Sequence, residues 1–158
     1  MHKKFIKFSK RSNYFCFKDS ILVIVQFGLI ILHFISFDYS IINKELTVTV
    51  FLGLGVVSFG LILITISLIT LGRNLSPFPI PREKGNLITN GIYSRIRHPM
   101  YFGLISISTG NCFINSSFMK VILTLLLMIV ISIKIKIEEQ YLLLRFANYS
   151  IYKSKVKL

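Results

Sequence analysis

The sequence predicts an all-α integral membrane protein: four transmembrane helices followed by a C-terminal amphipathic helix lying in the interface. Three observations lead there. Apolar residues make up 53% of the 158 positions and the mean hydropathy is +0.68, too apolar for a domain with a wetted surface. These residues are gathered into blocks long enough to cross a bilayer. The 19 lysines and arginines, which give a net charge of +13, cluster at the ends of the blocks. That distribution suits anionic lipid headgroups and argues against nucleic acid as a partner, because no folded basic face is on offer. Cys16 and Cys112 have no neighbour at metal-ligand or redox spacing, so neither a metal site nor a disulfide framework is expected.

Taken in order, residues 1–19 form a basic arm with Lys3, Lys4, Lys7, Lys10, Arg11 and Lys18 against Asp19. The apolar run Ile21 to Phe37 follows. A basic start before such a run can be a signal peptide, but the run is long for one and Ser36-Phe37-Asp38-Tyr39 is a poor cleavage site, so it is read as a retained first span. Within it, Gln26 is an isolated amide and His33 lies close enough to the far end to reach headgroups. Asp38 to Thr47 is a polar link. Val48 to Leu71 is 24 residues without a charge, and as a helix at ~1.5 Å per residue it covers the ~30 Å hydrocarbon core. Gly53, Gly60 and Ser67 recur every seven residues on one face, a small-residue stripe that lets a second helix come close. Gly53-Leu54-Gly55 is no dinucleotide loop, since no strand precedes it and no acidic residue follows at the needed distance.

Residues 72–98 form the main loop. Pro77, Pro79 and Pro81 in alternation predict an extended segment, and Asn74, Gly85 and Asn90-Gly91 are turn signals. Pro99 opens the next helix at its first turn, with His98 at the cap position. That helix runs to about Ile114 and carries Gly103 and Gly110 on one face, so it is expected inside the bundle. After a turn at Asn115 to Ser117, Phe118 to Ile137 is the last span. The apolar stripe Leu142, Phe146 and Tyr149 predicts that its helix continues into the interfacial segment. With both termini and the main loop on the cytoplasmic side, 17 of the 19 basic residues lie inside, and only Lys44 and Lys120 fall in the outer links.

This topology puts two polar clusters on one membrane face. The main loop brings Tyr93, Arg97, His98 and Tyr101. The end of the last span brings Lys134, Glu138, Tyr141 and Arg145 on one helical face. If the third and fourth helices form a hairpin, the clusters meet at its open end. They then combine cations for a carboxylate, a carboxylate for an amine or ribose hydroxyls, and aromatic faces for a cation, a set that suits S-adenosylmethionine. Plainer roles exist for each part: Lys134 and Glu138 as an ordinary i,i+4 pair, the tyrosines as interfacial anchors, His98 as a helix cap.

The segment Leu87-Ile88-Thr89-Asn90-Gly91-Ile92-Tyr93, then Arg97-His98-Pro99-Met100-Tyr101-Phe102-Gly103, then Glu138-Glu139-Gln140-Tyr141-Leu142 with Phe146, Tyr149 and Tyr152, resembles the isoprenylcysteine carboxyl methyltransferase family and its relatives the phospholipid methyltransferases. Leu71-Gly72-Arg73-Asn74-Leu75-Ser76-Pro77 is similar to bacterial members, and the likeness covers about residues 50–156. It implies a small helical membrane bundle, one domain over residues 1–158, with a cofactor loop at 72–98 and a catalytic hairpin and interfacial helix at 99–158. It also implies S-adenosylmethionine as cofactor, held by Gly85, Asn86, Leu87, Ile88, Tyr93, His98, Pro99, Met100, Tyr101 and Glu138. The family's acceptor-binding arginine falls on Lys134, which keeps the charge but loses the bidentate fork. The expected reaction is methyl transfer to a lipidic or prenylated acceptor at the cytoplasmic face, a carboxylate preferred. His98 and Glu139 are the candidate bases should the acceptor be an amine or phenol. Two other readings stay open: an NADPH-dependent enzyme like the membrane sterol reductases, which share a His-Pro-x-Tyr element, and a non-catalytic membrane protein that keeps the fold.

Overall fold

A computed structural model describes residues 2–35, 48–81 and 85–156, with side chains described from Asp19 onward. The expected polar link 38–47 with Lys44, the rejected cleavage segment at 36–39, the side chains of the basic arm up to Lys18, Arg82, Glu83, Lys84 and Lys157 lie outside the described residues.

Five α-helices follow one another: α1 (His2–Ile35), α2 (Val48–Leu71), α3 (Pro99–Asn115), α4 (Phe118–Arg145) and α5 (Tyr149–Lys155), with no strand among the described residues. The backbone of the basic arm is not separate from the first span. Both belong to one helix of 34 residues, ~51 Å long at ~1.5 Å per residue.

Among the described residues two helices, α2 with its following turn and α4, are long and apolar enough to cross a membrane. They are not the core helices of a water-soluble protein: only 22% and 33% of their most apolar windows is buried. Val48, Ile69, Phe118 and Leu144 stand at least 70% exposed. An aqueous protein would not leave such continuous apolar faces uncovered.

The two small-residue stripes read from the sequence meet each other. Gly53 lies against Gly110 and Gly60 against Gly103, so that a Cβ at Gly60 would sit 2.6 Å from the Gly103 carbonyl oxygen and one at Gly103 would sit 2.7 Å from the Gly60 oxygen. Ascending positions on α2 meet descending positions on α3, so the pair is antiparallel. Tyr101–Glu138 at one end and Cys112–Thr124 at the other make α3 and α4 antiparallel too. Gln26–Lys134 and Asp19–Tyr141 do the same for α1 and α4. The four long helices therefore alternate in direction, and one end of the bundle collects the start of α3, the ends of α2 and α4 and the main loop.

Two expectations change. His33 is buried, 1% exposed, rather than reaching outward to headgroups; α1 turns this edge towards the bundle. And α4 runs on past Ile137 through Leu142, but not as far as Tyr149. It ends at Arg145, Phe146 is extended, and after the Ala147-Asn148 turn α5 folds back. Tyr149, which would have continued the stripe along α4, is instead buried at 1% exposure, and Tyr152 donates to the Tyr93 carbonyl oxygen at 2.6 Å. Burying Tyr149 and bonding the half-buried Tyr152 to the loop is favoured over extending the helix into the interface.

Candidate active site

The site is assembled from the loop upward. Gly91 takes φ +58°, a left-handed conformation open to glycine, and starts the 3-10 turn Gly91–Ser94 that delivers Tyr93 inward. The Asn86 amide N–H donates to Asn74 Oδ1 at 2.8 Å. This bond closes the base of the loop and lays Gly85 to Ile88 beside the end of α2. The proline segment bends over the same place, and its Pro81 carbonyl accepts from Arg145 Nη1 at 2.9 Å.

His98 is the residue before α3, but its side chain makes no cap hydrogen bond. The imidazole instead faces the two glutamates of α4, with Nδ1 3.9 Å from Glu138 Oε2 and Nε2 3.5 Å from Glu139 Oε1. It stacks on the Tyr101 ring, with centroids 5.7 Å apart. Tyr101 donates to Glu138 Oε2 at 2.8 Å. Adjacent glutamates point to different partners, as neighbours on a helix must. Glu139 is held by Arg97 Nη1 at 2.9 Å and Lys153 Nζ at 2.7 Å. That links the loop, α4 and α5.

The stripe Lys134, Glu138, Tyr141 and Arg145 shares a face of α4, and its members reach residues on other elements. Lys134 donates to Gln26 Oε1 at 2.8 Å and lies 5.5 Å from the Tyr101 ring centroid. Tyr141 donates to Asp19 Oδ2 at 2.9 Å. The stripe thus ties α4 to α1, α3 and the loop in turn.

Two hollows open here. The first is a cleft of about 690 Å³ counting its mouth, walled by Gly85, Asn86, Leu87 and Ile88, by Phe78 to Pro81, and by Leu142, Phe146 and Tyr149. The second is an apolar groove between the helices, walled by Ile30, Ile64, Leu68 and Leu104 and headed by Gln26 and Lys134. Tyr93, Arg97, His98 and Glu138 belong to both. Of the residues expected to hold a cofactor, Gly85 to Ile88, Tyr93, His98 and Glu138 line the cleft. Met100 and Tyr101 line the groove, as does Lys134, while Pro99 is buried at the start of α3 and lines neither. Burial, reinforced by the Glu138 charge, pushes the Tyr93 phenol up to about 12. Burial likewise raises Tyr149 and Tyr152. All three are neutral hydrogen-bonding groups at neutral pH.

A sequence model of the phospholipid methyltransferase family matches residues 48–148. The chain belongs to that family. It is also 34% identical over 125 residues to the protein-S-isoprenylcysteine O-methyltransferase of Saccharomyces cerevisiae, over 76% of this chain and 51% of the yeast protein. The chain thus spans about half the length of that relative. The family segment contains α2, α3, α4 and the loop between α2 and α3, and so His98, Glu138 and the Gly85 to Ile88 wall. Gln26 and Asp19 on α1, and Tyr149, Tyr152 and Lys153 on α5, lie beyond it.

Tyr149 and Gln26 are the site residues that sequence reasoning passed over. Tyr149 read as one more apolar position on a helical stripe. Gln26 read as a lone amide in a span; an isolated polar residue at that depth was its one signal. The residues of the cleft fit S-adenosylmethionine: Glu138 offers an anion for its cationic groups or hydroxyls, Leu87, Ile88, Leu142 and Phe146 offer apolar walls for a purine, and the buried Tyr149 hydroxyl has no hydrogen-bond partner among the described residues.

Proposed function

We propose that residues 1–158 form a single membrane domain that methylates an acceptor bearing a hydrocarbon tail, using S-adenosylmethionine, with O-methylation of a carboxylate as the preferred reaction. The supporting observation is the shared wall: a cleft of mixed polar and apolar lining and an apolar groove meet at Tyr93, Arg97, His98 and Glu138. A water-soluble donor can be held on one side of that wall and a lipid-borne acceptor on the other. The alternation of four helices and the charge distribution support four spans, with both termini and the site at the cytoplasmic face. The α5 segment then packs beneath the loop at that face.

S-adenosylmethionine, when bound, supplies a methyl group activated by a sulfonium. The chain's own work is to position and to exclude water. Glu138 is fixed by the Tyr101 hydroxyl, so its charge has a defined place in the cleft. Lys134 and Gln26 head the groove where the acceptor's polar end arrives. A carboxylate oxygen already has its lone pair, so no residue must take a proton. An amine or phenol would lose one; Glu139 is committed to Arg97 and Lys153, which leaves His98 the better placed base.

The test is to incubate membranes containing the chain with methyl-labelled cofactor and follow the label into lipid and protein fractions. Base-labile label is the expected result, because a methyl ester hydrolyses and an amine or ether does not. Substituting His98→Ala or Glu138→Gln should remove it. Retention of labelled NADPH in place of S-adenosylmethionine would move the chain to the reductase-like class. Unchanged binding of both variants would leave a non-catalytic protein.

A further inference from the structure

The apolar groove has a wall that the family segment does not supply. That segment begins at residue 48, and α1 lies before it. Yet Gln26, Phe27 and Ile30 of α1 close one side of the groove, facing Ile64 and Leu68 of α2 and Leu104 of α3. Gln26 is buried, 7% exposed. An ammonium can only donate, so the Lys134 bond fixes Gln26 Oε1 as the acceptor and leaves the amide N–H₂ as a donor. The two polar groups at the head of the groove are therefore both donors. Ile30 is one helical turn further along the same face, about 6 Å deeper at ~1.5 Å per residue.

We propose that the first helix selects the methyl acceptor: Gln26 donates its amide N–H to the oxygen-bearing head, and Ile30 limits how much of the hydrocarbon chain enters the groove. This rests on the methyltransferase reading and extends it to a helix outside the family segment. The loop, α4 and α5 wall the donor side, where every acceptor meets the same chemistry. A change on α1 alters the acceptor side without touching the cleft.

The experiment uses the full chain in detergent micelles, with S-prenylcysteines of increasing chain length as acceptors. Binding of S-adenosylhomocysteine, by calorimetry, and melting temperature serve as controls. Gln26→Leu is expected to raise the acceptor KM about tenfold, the loss of one hydrogen bond to a charged group, with kcat and S-adenosylhomocysteine binding unchanged. Gln26→Glu pairs with Lys134, repels an anionic head and raises KM further. Ile30→Phe shifts the preference to shorter chains. A residue that only tied α1 to α4 would change melting and leave the KM ratio between acceptors alone. If the Gln26 variants fail to fold, the chain-length profile of Ile30→Phe decides by itself. Unmoved KM and chain-length profiles in folded variants, with the wild type active, overturn the selecting wall alone. A wild type that labels no prenylated acceptor overturns both the wall and the reading beneath it.

Discussion

The Tyr149 hydroxyl is buried beside the cleft without a hydrogen bond, and a buried unpaired hydroxyl costs about 1–3 kcal/mol. Tyr149→Phe should therefore raise the melting temperature of the ligand-free chain and weaken S-adenosylhomocysteine binding. Opposite signs from one substitution distinguish a ligand contact from plain packing; calorimetry and thermal melts in detergent read both. Tyr93 makes a pH prediction. Its phenol titrates near 10 when unfolded and at about 12 in the folded chain. The folded state holds the extra proton across that window, so stability is full below it and falls as pH rises from ~10 towards 12. Tyr149 and Tyr152 act in the same direction, so Tyr93→Phe should make the alkaline loss shallower without abolishing it. Glu139 is the joint between Arg97 and Lys153. Glu139→Ala leaves the largely buried Arg97 side chain without that carboxylate and should cost about 3 kcal/mol, more than Lys153→Ala, whose side chain is 41% exposed.

Among the elements, α2 and α3 form the scaffold for the loop. Their backbones touch because glycine faces glycine at two levels. At Gly60 the obstacle to a side chain is the Gly103 carbonyl, which is backbone and cannot swing aside. Gly60→Ala should force the helices apart at about 1–3 kcal/mol, and Gly55→Ala, where nothing lies within 4 Å, should be tolerated. Comparative melting of the two variants checks this. The stripes themselves were legible in the sequence, because a seven-residue recurrence of small residues on an apolar helix has one main use. The fate of α5 was not. A period that runs on through Phe146 and Tyr149 looks the same whether the helix continues or breaks and returns; the deciding contacts, Tyr152 to Tyr93 and Lys153 to Glu139, join residues 59 and 14 positions apart.

For the whole molecule, alternating helices and the gathering of basic residues on the proposed cytoplasmic side predict that α5 and the main loop share that membrane side. A single cysteine at Ser154, in a chain lacking Cys16 and Cys112, should react with an impermeant maleimide only when the cytoplasmic face of oriented vesicles is open. The sequence by itself determined the helical membrane class, the approximate bounds of α2 to α4 and the family motifs, because apolar block length, small-residue period and turn residues act locally along the chain. It placed Tyr101 and Glu138 at one end of the bundle, and they touch at 2.8 Å. Only the tertiary structure decided what completes the site. It put Gln26 against Lys134 and Tyr149 under the cleft, and it kept His98 at the cap position of α3 while aiming its imidazole at the glutamates. These are choices among partners far apart in sequence, settled by which buried polar groups can satisfy each other once the helices are packed.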